Sequence, residues 1–187
     1  MIVNVLAFLA FTVDFFVSLR NDKGLVHPFI LNIFAIVGGG FGMLVAFLVW
    51  DRKVRKANVA WRFVAIGGIV VWALIIINVY GPNKFSIQAF VESLSKNHVP
   101  LLIYLALINI ATLIVFVVDK IKAIKGKQRI REFVLLGMSM LGGALGGIIG
   151  MAVARHKINT YYFKFGLPIM LVIDLVVIAY LMQAGIV

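Results

Sequence analysis

The sequence contains no cysteine, so disulfides and thiol chemistry are excluded and the redox compartment is left open. Acidic residues are also scarce: 7 Asp and Glu stand against 18 Lys and Arg, a formal net charge of +11 over 187 residues. The three histidines, His27, His98 and His156, lie in separate stretches. No His-x-x-x-His or Glu-x-x-His spacing brings two ligands to one metal. No Gly-x-Ser-x-Gly elbow and no pair of acids on one helix occurs either, so the chain reads as a non-enzyme without metal or cofactor. Charged residues make up only 13%, against about 25% in soluble chains. That excludes an ordinary soluble domain.

What the chain has in excess is apolar surface, at 63% hydrophobic residues. Six apolar runs recur, at residues 2–19, 28–50, 63–80, 100–118, 133–154 and 165–182. Each is near the roughly 20 residues that a helix needs to cross the hydrocarbon core. They are too long and too continuously apolar for barrel strands. The pattern predicts an all-α polytopic membrane protein of six transmembrane helices. The first run lacks a basic leader and a cleavage motif, and Asp14 interrupts it, so it is read as a membrane helix rather than a signal peptide.

The basic residues lie almost entirely between the runs. With six straight crossings, 11 fall on the N-terminal side and 7 on the other. The excess places both termini in the cytoplasm by the positive-inside rule. Such loops attract anionic lipid headgroups at about 1 kcal/mol per basic residue near the surface, and that reading is preferred to nucleic-acid binding.

The chain also repeats itself. Asn4 leads in ten residues to Asp14, and Asn109 in ten to Asp119. A Lys-Gly turn follows each Asp (Lys23-Gly24, Lys125-Gly126), then a glycine-studded run, a basic knot and a third apolar run. The expected organisation is a three-helix repeat over residues 1–80, a linker or interfacial helix over 81–99, and a second repeat over 100–187. An odd number of crossings per copy makes the second copy start from the opposite face, so the repeats are expected to be inverted, as in many transporters.

Three groups of residues stand out. Gly38, Gly39 and Gly42, with Gly142, Gly143, Gly146, Gly147 and Gly150, form flat helix faces that allow close packing. The second and fifth helices are therefore expected to meet at the centre. Asp14, Asp119 and Asp174 are intramembrane acids, costly enough to be candidates for function. With straight crossings an Asp cannot reach the basic knot of its own copy. Cross-repeat ion pairs are expected instead, Asp14 with Arg155 and Lys157, and Asp119 with Arg52 and Lys53; local pairs with Arg20 and Lys122 are the alternative. Asp174 has no basic residue at its depth, and with Asn109 it forms a candidate midplane polar site, either a proton or cation site or a neutral hydrogen bond between helices. His156 is read as a headgroup contact rather than a general base.

The second copy resembles the small bacterial membrane family catalogued as domain of unknown function family 1294. The resemblance rests on Asp119-Lys120, Gly126, Arg129-Ile130, Glu132, Gly142-Gly143, Gly146, Gly150-Met151, Arg155-His156-Lys157 and Phe163 to Phe165. The first copy keeps Asp14, Lys23-Gly24, the glycines and Arg52-Lys53, without the Arg-Ile-x-Glu and Arg-His-Lys forms. The resemblance implies a three-span unit in a bacterial cytoplasmic membrane and supplies no activity. The expected function is movement of a small solute, ion or lipid across that membrane. The alternative is a non-transporting scaffold that binds anionic lipid or a partner protein.

Overall fold

The structure, a computed structural model, describes residues 2–20, 33–51, 59–81 and 84–186. It forms two compact units, Met1–Ile75 and Ile76–Val187. Helices α1 (Ile2–Arg20), α2 (Gly40–Trp50) and α3 (Val59–Tyr80) are followed by α4 (Ile87–Ser93), α5 (Val99–Ile124), α6 (Glu132–Met138), α7 (Ala144–Val153) and α8 (Tyr161–Gln183). Among the described residues no strand occurs. Among the described residues, five stretches are long and apolar enough to cross a membrane: Ile2–Leu19, Arg62–Tyr80, Val99–Ile124, Glu132–Val153 and Tyr162–Gln183.

Length and composition alone mislead for Glu132–Val153. A straight helix of that length would hold its ends about 33 Å apart. Instead Lys157 Nζ lies 3.7 Å from Glu132 Oε1, so the chain goes in and returns to where it started. The reversal occurs in the widened turn Ser139–Gly143, where Leu141 departs from helical angles and Gly142 takes φ 97°. A residue with a Cβ is strained in that left-handed region by roughly 1–2 kcal/mol, which explains the glycine. Helices α6 and α7, about 10 and 15 Å long, are each too short to span a hydrocarbon core of about 30 Å. They are the two arms of a re-entrant hairpin.

The returning arm α7 runs alongside α5 in the same direction. Tyr104 donates to the Leu141 carbonyl at 2.7 Å, Asn109 contacts Gly142 and Gly146, and Gly150 abuts Leu113 and Phe116. Glycine is needed at 146 because a Cβ there would collide with the Asn109 backbone carbonyl. Phe116, Leu135, Leu136, Ala144, Phe163 and Leu167 are buried as this unit's core. At the far end of α8, Gln183 accepts from the Ser86 amide at 2.8 Å and donates to the Lys84 carbonyl at 2.7 Å. Phe85 stacks on Tyr180 with ring centroids 6.2 Å apart. Thus α5 leads from the α4 end to the hairpin mouth, and α8 leads back.

The first unit uses the same device. Gly38 takes φ 106° in the widened turn Ala35–Gly39, and α2 then runs alongside α1. Gly42 N donates to Asn4 Oδ1 at 2.9 Å, Phe11 meets Phe47 with centroids 4.2 Å apart, and Trp50 Nε1 donates to Thr12 at 3.1 Å. The buried core comprises Ala7, Phe11, Phe15, Ala35, Met43, Ala46, Phe47 and Ala65.

Within each unit the glycine faces have a local use: Gly39 and Gly42 seat α2 on α1, and Gly143, Gly146 and Gly150 seat α7 on α5. The fifth apolar run doubles back on itself, so this unit does not present the straight fifth crossing on which the inverted-repeat expectation depends. The absence of native cysteine makes this testable without background: Lys127→Cys and Asn159→Cys should react with an impermeant maleimide from the same side of the membrane. Labelling from opposite sides would rule out the hairpin.

Candidate functional site

Two polar places lie in the second unit, one at the hairpin mouth and one at its tip. The mouth is organised by Asp119, which sits near the end of α5 and is fully buried. Its Oδ1 accepts from the Ile130 amide at 2.9 Å, which holds the chain entering the hairpin. Its Oδ2 meets His156 Nε2 at 3.0 Å and Lys157 Nζ at 3.3 Å, with Arg129 Nη2 at 3.9 Å, which holds the chain leaving it. Glu132, at the start of α6, meets Lys157 and accepts from the Tyr162 hydroxyl at 2.5 Å. The Lys157 ammonium also lies 4.6 Å from the centre of the Phe163 ring, within cation–π range.

The exit turn is built to aim these side chains inward. Arg155 and Lys157 take φ 44° and 60°, left-handed values that cost a non-glycine residue about 1–3 kcal/mol each. The ion cluster offsets that strain. Burial draws the Lys157 ammonium below the usual lysine range, and the Asp119 and Glu132 carboxylates offset only part of the shift. His156 Nε2 also lies 3.3 Å from Arg129 Nη2. With its proton on Nε2, His156 donates to Asp119 and Arg129 contributes by charge. With the proton on Nδ1, Nε2 instead accepts from Arg129.

The tip solves a different problem. A helix that begins at depth leaves its first N–H groups without partners. Asn109 of α5 reaches across as a cap: Oδ1 accepts from Gly146 N at 2.7 Å, and Nδ2 donates to the Gly142 carbonyl at 2.9 Å and to the Leu105 carbonyl at 2.7 Å. Asp174, from the middle of α8, accepts from the Ala144 amide at the start of the same arm. It is 8% exposed, and its Oδ2 has no hydrogen-bond partner among the described residues. The pairing of Asn109 with Asp174 therefore takes a particular form. Both side chains address the first turn of α7, one from each flanking helix. In the first unit Asn4 caps Gly42 in the same way, whereas Ile69 faces Gly40 and supplies no carboxyl.

The ion pairs differ from those expected. Asp119 is served by Arg129, His156 and Lys157 of its own unit, because the hairpin returns the second knot to the face it left. Arg52 and Lys53, the partners expected for it, lie outside the described residues. Lys157, expected at Asp14, is on Asp119; Arg155 is exposed and Asp14 is half-buried on α1. His156, read from the sequence as a headgroup contact, points its Nε2 into the cluster. Sequence reasoning also missed Asp51, which is 2% exposed and accepts from the Arg62 guanidinium through both its backbone carbonyl and its carboxylate, with Arg62 Nη2 3.4 Å from Oδ2. Its position directly before Arg52-Lys53 hid it inside the basic knot. Among the described residues no group of three metal-binding side chains occurs.

Asp119→Asn would leave the Lys157 ammonium buried with Glu132 alone, and should lower unfolding free energy by about 3–5 kcal/mol. Lys157→Met in the same chain should restore part of that. Denaturant titration in detergent measures both, and a loss below about 1 kcal/mol would show that the cluster does not hold the mouth.

Residues 109–163 match the family described as Protein of unknown function (DUF1294). The stretch begins at the capping Asn109, takes in every residue of the Asp119 cluster, and stops before Asp174. The chain is 43% identical over 76 residues to the uncharacterized protein YsdA of Bacillus subtilis (strain 168), an alignment that covers 41% of this chain and 85% of YsdA. No solved structure matches. With its hairpin, its mouth cluster and most of its tip inside the matched stretch, the chain belongs to the DUF1294 family of proteins of unknown function.

Proposed function

We propose that this protein moves a small solute or ion across the bacterial cytoplasmic membrane, along a path that passes the tip of the second unit's hairpin. The observation that carries this reading is the broken turn at Ser139–Gly143, with a buried Asp174 carboxyl at the start of α7. Irregular backbone at membrane depth is tolerated only where protein buries it or a water-filled cavity reaches it. Broken helices whose half-helix ends face a central site are a common construction of secondary transporters. Asp174 is turned away from lipid, as a transport site requires.

The hairpin also bears on orientation. If the fifth run passed straight through, the second unit would carry six basic residues on one side and five on the other. With the hairpin, Lys120, Lys122, Lys125, Lys127, Arg129, Arg131, Arg155, Lys157 and Lys164 gather at the mouth, leaving Lys84 and Lys96 at the other end. Nine against two is a strong bias, and the positive-inside rule then turns the mouth to the cytoplasm. On this reading the end of α8 faces away from it, unlike the placement expected from six crossings. We further propose that the two units are copies of one ancestral unit, on the strength of the shared Asn cap and positive-φ glycine.

The scaffold reading draws its support from the same mouth, where exposed Lys127, Arg131 and Arg155 would attract anionic headgroups. A solute and ion screen in proteoliposomes separates the two. Transport requires flux with the wild type and its loss in Asp174→Asn. Absence of flux for every solute, with anionic lipid co-purifying in fixed ratio, would assign the protein to the scaffold class.

A further inference from the structure

We propose that Asp174 is a proton-binding site, loaded and emptied from the aqueous phase, and that it does not hold a metal cation. As a site of proton binding this stands on the hairpin geometry; as the coupling site of a transporter it rests on the transport reading above. A carboxylate within the membrane could in principle bind H⁺ or a small cation, and the surroundings of Asp174 separate the two.

A metal cation needs several oxygen ligands, six or so for the hard divalent ions. Three oxygens of the broken turn and its cap already accept hydrogen bonds: the Leu141 carbonyl from Tyr104, the Gly142 carbonyl from Asn109, and the Oδ1 of Asn109 from Gly146. Among the described residues no group of three metal-binding side chains includes Asp174. A proton has no coordination shell to fill. Hydronium transfers H⁺ to Oδ2, one O–H bond forms as another breaks, and water leaves; the reverse step restores the carboxylate.

The neighbours supply no competing charge. The turn Ser139–Gly143 and α7 contain no titratable side chain. On α5 at this depth the one such residue is Tyr104, whose hydroxyl is engaged with Leu141. From α4, which packs on the far end of α8, Glu92 is exposed. On α8 itself Lys164 and Tyr180 lie toward the two ends.

The test is infrared difference spectroscopy on the purified full chain in lipid nanodiscs, read at the C=O stretch of a protonated carboxyl while bulk pH is changed. The expected result is a reversible band that disappears in Asp174→Asn, shifts in Asp174→Glu, and is unmoved by sodium or potassium chloride. If Asp174→Asn fails to fold, the shifted band of Asp174→Glu carries the assignment. A titrating band that is unchanged in the foldable variant, no titrating band at all, or displacement of the proton by sodium would overturn the proposal. A titrating Asp174 in a protein that shows no flux would leave the proton site standing and remove the transport reading.

Discussion

A helix that starts at depth leaves its first N–H groups without helical partners, and the second unit is arranged around satisfying them. Each unpaired group at that depth costs several kcal/mol. Asn109 supplies one acceptor from α5, and Asp174 supplies another from α8. The glycines follow from the same requirement. A side-chain cap can reach Gly146 N only if α7 lies against the α5 backbone, and a Cβ at 146 would prevent that approach. Gly142 then has to take a left-handed conformation to bring the chain round. Cap, flat face and reversal are therefore one device, and the first unit repeats it with Asn4, Gly42 and Gly38.

The mouth balances a second set of costs. Asp119 and Lys157 are withdrawn from water, and two non-glycine residues are held at positive φ. Buried pairs of this kind contribute little net stability compared with apolar packing, yet removing one partner is expensive. Their effect is on geometry. One carboxylate ties the strand of chain that enters the hairpin, through Ile130 N, to the strand that leaves it, through His156 and Lys157. The arms cannot slide or separate while those contacts persist.

Much of this was legible in the sequence, and most of what was missed traces to one feature. The apolar runs correspond to helices, a short helix occupies the segment before α5, and the Asn-to-Asp spacing of the second copy separates the Asn109 cap from the Asp119 cluster. The hairpin did not show, because residues 133–154 have the length and hydropathy of a crossing helix, and neither quantity detects a reversal. Each error that followed descends from that one. A straight fifth helix separates Asp119 from His156 and Lys157, makes the number of crossings odd, and divides the basic residues almost evenly. One signal was available: the Gly142-Gly143 pair in mid-run, where a helix packing by small residues needs glycines four apart and has no use for adjacent ones. The roles of Asp51 and Glu132 were hidden for a different reason, since a single acid beside a cluster of bases reads as part of a solvated loop.

The shortness of α6 and α7 also bears on the order in which the unit assembles. At 7 and 10 residues neither arm can lodge across a bilayer by itself, and the acceptors that cap α7 come from helices on either side of it in the chain. The hairpin therefore cannot reach its final form as it emerges from the ribosome. It must wait until α8 has been synthesised and inserted, because only then can Asp174 meet Ala144. Until that moment the glycine-rich stretch is a guest in a half-built site, which makes the last helix the one that completes the fold.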